Sequence, residues 1–184
     1  TYSKKAPSVA DMTEAALKWL STGTRPYFLV VEEEGTDNFA NAMNAPGTME
    51  AFRRADAAIG VARKHVAADP DLTLLVAADS EAGIPTLVPA GRASDGKKGE
   101  KVSRLPGTTP AGAPLDGAEG TGTRPFLSAT DRFGERHYFG IAWISGGDHY
   151  GSVVARAEGS RADQLPLNLD NTGVHHFIRG VLLE

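Results

Sequence analysis

Three carboxylates and one histidine of this chain follow predicted strands at points where side chains could meet. They are Glu32, Asp37, Asp79 and His149. If these side chains converge without a counter-ion, they repel one another, and a divalent cation is the usual way to make such a cluster tolerable. The residue types therefore predict a metal site. Two metals about 4 Å apart would suit in-line phosphoryl transfer.

The elements that must position these side chains are the strands of an α/β sheet. Residues 27–31 are aromatic and β-branched and are followed abruptly by three glutamates, which predicts a buried strand ending in carboxylates. Residues 72–78 form a continuous apolar run, which predicts a strand buried on both faces and ending at Asp79. Ligands of open α/β sheets bind at the carboxyl ends of strands. A solvated strand end is the alternative interpretation of the three glutamates.

Helices are predicted before, between and after these strands. Ser8 and Asp11 have the spacing of a capping box ahead of an apolar-periodic segment, which predicts a first helix. Pro46 and Gly47 open a second helix between the two strands, and a last helix is predicted from about residue 171. The strand–helix–strand order predicts parallel pairing with a right-handed crossover. The predicted fold class is α/β, with three layers (α/β/α) and a mostly parallel central sheet.

The composition limits how the chain can be organised and which classes of partner it can bind. The chain has 184 residues, a formal net charge of −4 and no cysteine. The interspersed charges offer no polybasic face, so no nucleic-acid partner is predicted, and no apolar run is long enough to predict a membrane span. The absence of cysteine excludes disulfides and thiolate metal ligands. Residues 1–184 are predicted to form a single segment, with a Gly/Pro-rich surface insertion at about 83–125. Order is predicted to return in strands at 137–144 and 153–157.

The motifs together resemble the C-terminal part of alkaline phosphatases. That family shows Val-Glu-Gly, then Asp, then His, then Asn; a later Thr-Ala-Asp-His; and a later His-Thr-Gly. This chain has Val31-Glu32, Asp37 and Asn44, then Ala77-Ala78-Asp79, then His149-Tyr150-Gly151. The order and the spacing are similar, and the resemblance covers most of the chain outside the Gly/Pro-rich stretch. It implies an alkaline-phosphatase-like fold, here a partial one.

The resemblance implies a role for each matching residue. Glu32 is similar to the family's magnesium ligand, Asp37 and His149 to two ligands of the first zinc, and Asp79 to a ligand of the second zinc. The implied activity is metal-dependent hydrolysis of phosphomonoesters, with phosphate as product. The resemblance also implies a periplasmic or secreted homodimer.

Two departures from the family pattern affect the metals. Asn41 stands where the family has the first zinc's other histidine, and Ser80 stands where a histidine follows the second site's aspartate. Both changes replace an imidazole nitrogen with a weak, neutral oxygen ligand. The remaining oxygen-rich set predicts magnesium or calcium, and also suits manganese, whereas zinc is implied only by the resemblance.

The resemblance also leaves catalysis incomplete. The family's nucleophilic serine, its phosphate-binding arginine and a metal-bridging aspartate lie upstream of the matching region. We therefore expect this chain to be a fragment whose N-terminal part supplies the nucleophile, and we expect no activity from the chain alone. A catalytically degenerate relative with a binding or structural role is the alternative. A sulfatase or phosphodiesterase of the same superfamily also stays open.

Overall fold

The computed structural model describes residues 2, 3, 5–93 and 104–183. The chain forms two compact units: the first comprises Thr1–Glu33, Arg53–Asp79 and Val153–Glu184, and the second comprises Glu34–Phe52 and Ser80–Ser152. The single-segment organisation stays a prediction. No helix in the described part of the chain is long and apolar enough to cross a membrane.

Helices and short strands alternate irregularly along the described chain. In order they are α1 (Val9–Leu20), α2 (Gly35–Asn41), α3 (Ala45–Ala68), β1 (Thr73–Val76), β2 (Glu81–Ala82), β3 (Pro85–Ala93), β4 (Leu115–Gly117), β5 (Gly120–Thr121), β6 (Phe126–Leu127), β7 (Arg136–Trp143), β8 (Asp148–His149), β9 (Arg156–Gly159), a 3₁₀ helix (Ala162–Gln164) and α4 (Asn171–Leu183).

The first unit contains α1, α4, most of α3 and one antiparallel ladder. The capping box predicted for α1 is confirmed: Ser8 Oγ accepts a hydrogen bond from the Asp11 N–H at 3.2 Å, and the Asp11 carboxylate accepts one from the Ser8 N–H at 2.9 Å. β1 pairs antiparallel with β9. Arg63 Nε donates to Glu158 Oε2 of β9 at 2.7 Å, which links α3 to this ladder.

The second unit is built around β7. β3 pairs along one side of β7, while β4 and β6 pair along the other side, and β5 pairs with β4. β2 and β8 form a separate two-stranded ladder. The side chains of Trp143 and Ile141 are buried against Ala40 of α2 and Ala45 of α3. This apolar contact holds α2 in the unit.

A buried carboxylate ties the core of the second unit together. Asp116 is only 1% exposed, and its carboxylate accepts hydrogen bonds from the Ala45 N–H at 3.0 Å, from Trp143 Nε1 at 3.2 Å and from Thr121 Oγ1 at 2.7 Å. Buried ionisable groups are tolerated when protein donors replace their water. Asp116 therefore joins β4, β5 and β7 to the start of α3.

The predicted parallel central sheet is wrong for the described residues, since every strand pairing there is antiparallel. Residues 27–31 form no strand and join no described ladder, and Phe28 and Val30 are 59% and 72% exposed. β1 is half-buried and not enclosed on both faces. A strand–helix–strand order implies parallel pairing only if both strands enter one sheet. Hydrophobicity alone does not identify the partner of a strand.

The stretch at 83–125 also differs from the expected surface insertion. It contributes β3, β4 and β5 to the sheet, and Leu105 and Leu115 are buried. A register shift in β3 between Pro89 and Arg92 breaks the alternation there, and strands of two or three residues are too short to show a period. Residues 94–103 of this stretch lie outside the described chain.

Candidate metal-binding site

The short helix α2, which the sequence did not predict, positions Asp37 and Asn41. Asp37 lies in the first turn of α2, where the helix dipole favours a carboxylate. Asn41 is four residues later and therefore on the same helix face, and its Nδ2 donates to Asp37 Oδ1 at 3.1 Å. The helix ends after Asn41, and Met43 adopts a left-handed φ of 50°. The contact between Asp37 and Asn41 is thus set by local sequence.

The ladder of β2 and β8 brings a second carboxylate to Asn41. Asp148 Oδ1 accepts a hydrogen bond from Asn41 Nδ2 at 2.7 Å. In this ladder Asp148 lies opposite Ala82, and His149 lies opposite Glu81. Because neighbouring side chains of a strand alternate between faces, His149 lies on the Glu81 side of the ladder and Asp148 on the other. We call Asp37, Asn41 and Asp148 the α2–β8 cluster.

Gly83 allows the segment after β2 to lie against α2. Its φ is +69°, and a Cβ atom at this position would overlap the carbonyl oxygen of Ala40. The Gly83 N–H donates to the Gly147 carbonyl, and the Ser145 N–H donates to the Gly83 carbonyl, both at 3.3 Å. Glycine is therefore required here for both conformation and space. The turn that precedes Asp148 is held in place by this approach.

Asn41 Oδ1 is buried and accepts no hydrogen bond. Among the described side chains it is the one buried polar atom without a partner. Native proteins rarely leave such an atom unsatisfied, because it has lost its hydration without gaining a replacement. In the α2–β8 cluster, the amide nitrogen of Asn41 therefore contacts two carboxylates, while its amide oxygen has no hydrogen-bond partner.

The ligands predicted from the sequence are divided between the two units. Glu32 and Asp79 belong to the first unit, while Asp37, His149 and Ser80 belong to the second. Glu32 is exposed and follows the irregular segment 27–31, Asp79 is exposed beyond the end of β1, and Ser80 is half-buried ahead of β2. Their assignment as metal ligands stays a prediction. The structure directly joins Asp37 to Asn41, one of the two substituted positions.

A second polar cluster lies on the hairpin between β6 and β7. One ligand atom from each of Asp131, Glu135 and His137 lies within 4.8 Å of the others. Asp131 Oδ1 accepts hydrogen bonds from the N–H groups of Phe133 at 2.8 Å and Glu135 at 2.9 Å, and Oδ2 lies 3.2 Å from His137 Nε2. These bonds, first the Glu135 N–H and then His137, lower the pKa of Asp131. We call Asp131, Glu135 and His137 the turn cluster.

Sequence reasoning missed Asp148 and the turn cluster. Asp148 directly precedes the singled-out His149, so its position next to a motif residue was an available signal. The three residues of the turn cluster occupy a seven-residue stretch, 131–137, whose acidic and histidine content was also visible. No signal in the sequence indicated that Asp148 contacts Asn41, because 107 positions separate them.

Comparison with known proteins first defines the fold. A solved structure of a TAB5 alkaline phosphatase mutant, with magnesium bound in its M3 site, matches 95% of this chain with a TM-score of 0.67 and 20% sequence identity. The fold is therefore alkaline-phosphatase-like. The chain spans 41% of the length of that protein.

The family then follows from the sequence. The sequence model of the alkaline phosphatase family matches residues 1–181. This chain belongs to the alkaline phosphatase family, which confirms the resemblance seen in the motifs. No curated protein matches it.

Alkaline phosphatases use divalent metal ions, so the donor set must be compared with what such ions require. The α2–β8 cluster offers carboxylate oxygens from Asp37 and Asp148, and Asn41 faces them with its Nδ2. Oxygen donors suit magnesium, calcium and manganese, whereas zinc favours histidine and cysteine. The two carboxylates are donors of the kind that hard cations prefer, and the α2–β8 cluster contains neither histidine nor cysteine.

Proposed function

We propose that this chain is the C-terminal part of a metal-dependent phosphomonoester hydrolase of the alkaline phosphatase type. The match of the family model to residues 1–181 carries the proposal. Glu32, Asp37, Asp79 and His149 are the proposed metal ligands, because they stand in the family's order and spacing. The nucleophile is supplied by residues outside this chain.

Magnesium or calcium is the proposed ion, and zinc is disfavoured. Asn41 and Ser80 replace two imidazole ligands, and Asp148 adds a carboxylate beside Asn41. Bound there, a divalent ion would polarise a phosphoryl oxygen and stabilise charge on the leaving oxygen. Asp37 and Asp148 would contribute the negative charge that holds such an ion, and Asn41 keeps the two carboxylates close together through its Nδ2.

The proposed partners follow from the family. They are a phosphomonoester substrate or phosphate, the N-terminal part of the same protein and a second copy of the protein in a homodimer. Secretion or a periplasmic location is proposed on the same ground.

A catalytically degenerate protein with a binding or structural role is the second candidate. Asn41 favours it, because its amide N–H₂ already bridges the two carboxylates that could otherwise face an ion. Such a protein would keep the fold and bind phosphate or a single hard cation without turnover.

Hydrolysis of an aryl phosphate monoester by the complete gene product, with magnesium present, separates the two candidates. Asp79→Asn is expected to lower kcat/KM by about 10- to 100-fold, the usual effect of disturbing a metal site. Asp71→Asn is the matched control, since Asp71 is an exposed aspartate just before β1 and Asp79 follows that strand. Phosphate binding without any turnover would favour the second candidate. Equal activity of both variants would remove Asp79 from the site.

A further inference from the structure

We propose that the second unit contains a binding site for a small amphipathic anion, a hydrocarbon chain or ring that ends in one carboxylate. The site is a cleft of about 450 Å³ between β3 and the segment that leads to β4, and we call it the β3 cleft. It shares no residue with the α2–β8 cluster or the turn cluster. The proposal therefore goes beyond the proposed function and does not depend on it.

The floor of the β3 cleft belongs to the hydrophobic core of the second unit. Leu105 and Leu115 line the cleft, are 7% and 3% exposed, and pack with Ala142 of β7. Val88 and Ala90 of β3 also line the cleft and pack against the same core cluster. Core packing thus holds the apolar lining in place, so a ligand does not have to order these side chains first. The volume is within the range of small-molecule sites, about 300–1,000 Å³.

Three prolines make the lining of the β3 cleft poor in hydrogen-bond donors. They are Pro89, Pro106 and Pro110, and proline has a fixed φ and no N–H group. The register of β3 shifts between Pro89 and Arg92, so the ladder with β7 is interrupted where β3 borders the cleft. Such irregularities are frequent beside functional sites. A polar group placed on this lining would lose hydrogen bonds to water without replacement, so the lining fits a hydrocarbon.

Arg104 supplies a positive charge to this apolar cleft. Among the described residues that line the cleft, Arg104 alone is charged. Its Nε donates to the Gly122 carbonyl at 3.0 Å, which anchors the side chain and leaves the two terminal nitrogens of the guanidinium for a ligand. A carboxylate offers these donors two oxygens in matching geometry. The charge of Arg104 therefore complements one anionic group at the end of an apolar ligand.

Isothermal titration calorimetry of the complete gene product with octanoate, and with octan-1-ol as its uncharged match, tests the proposal. A surface that is only apolar prefers the alcohol, because a carboxylate costs more to remove from water. We expect saturable octanoate binding that is about three- to tenfold tighter than the binding of octan-1-ol. Lack of saturable octanoate binding, or a preference for the alcohol, would overturn the proposal without the need for a variant.

Two variants assign the binding to the β3 cleft. Arg104→Gln should weaken octanoate binding by about three- to tenfold and leave the binding of octan-1-ol unchanged. Arg132→Gln makes the same change at an exposed arginine outside the cleft and should alter neither. Ala90→Phe fills the cleft and should weaken both ligands by about tenfold or more. Wild-type octanoate affinity in Arg104→Gln, or in a folded Ala90→Phe, would overturn the proposal.

Discussion

The α2–β8 cluster and the turn cluster contain similar ligands but satisfy them differently. In the turn cluster, local N–H groups and His137 take up both oxygens of Asp131. In the α2–β8 cluster, two carboxylates from distant parts of the chain share the amide of Asn41, whose oxygen has no partner. Closeness of ligand types is therefore a weak indicator of a metal site.

Asp116 is a buried carboxylate that accepts hydrogen bonds from three protein donors, and its removal should lower the stability of the fold more than any other substitution below. Asp116→Ala leaves the Ala45 N–H, Trp143 Nε1 and Thr121 Oγ1 without their acceptor in the core of the second unit. We expect a loss on the order of 4 kcal/mol in the free energy of unfolding, measured by urea denaturation. Thr121→Val removes one of the three donors and should cost about 1 kcal/mol. Similar losses for both variants would show that Asp116 does not organise this core.

Two glycines with a positive φ lie next to the two clusters, and they differ in how much space surrounds them. Gly83 lies against α2 beside the α2–β8 cluster, and a Cβ atom there would overlap the backbone of Ala40. Gly134, with a φ of +82°, lies in the turn that carries the turn cluster, and a Cβ atom there would meet nothing within 4 Å. We expect Gly83→Ala to cost about 3 kcal/mol and Gly134→Ala about 1 kcal/mol, because strain alone acts at Gly134.

Thermal unfolding of both variants measures this difference. Equal losses of Tm in the two variants would mean that the close approach of Gly83 to Ala40 can relax.

Elements specified by local pattern were predictable. The capping box before α1, the helix α3, the periodic segment of α4 and the strand now seen as β7 are confirmed close to their predicted bounds. The predicted apolar stripe of α3 is not, since Phe52 is 54% exposed while Ala51 and Ala58 are buried. Sheet pairing was not predictable, since β1 meets β9 about eighty residues away and residues 27–31 meet no described strand. Pairing depends on which segments compete for an edge, and hydrophobic periodicity does not contain that information.

The candidate site likewise has one part that follows from local sequence and one part that follows from tertiary structure. Motif spacing singled out Asp37 and Asn41, and the hydrogen bond between them is local because they lie four residues apart. The contact of Asp148 with Asn41 depends on β2, β8 and the close approach at Gly83. Those are tertiary features, so the residue next to a recognised motif histidine was missed.

The pH dependence of the turn cluster gives the smallest expected effect. The Glu135 N–H and His137 lower the pKa of Asp131 below its ordinary value of 3.8. The folded state therefore binds this proton less readily than the unfolded chain, and the stabilisation is present above about pH 4 and is lost as pH falls through the folded-state pKa. Because Asp131 lies at the surface, solvent screens much of the effect. The difference in Tm between wild type and Asp131→Asn should stay constant from pH 5 to 7 and shrink below pH 4. A difference that grows in acid would mean that the folded state binds this proton more readily than the unfolded chain, which would contradict the lowered pKa of Asp131.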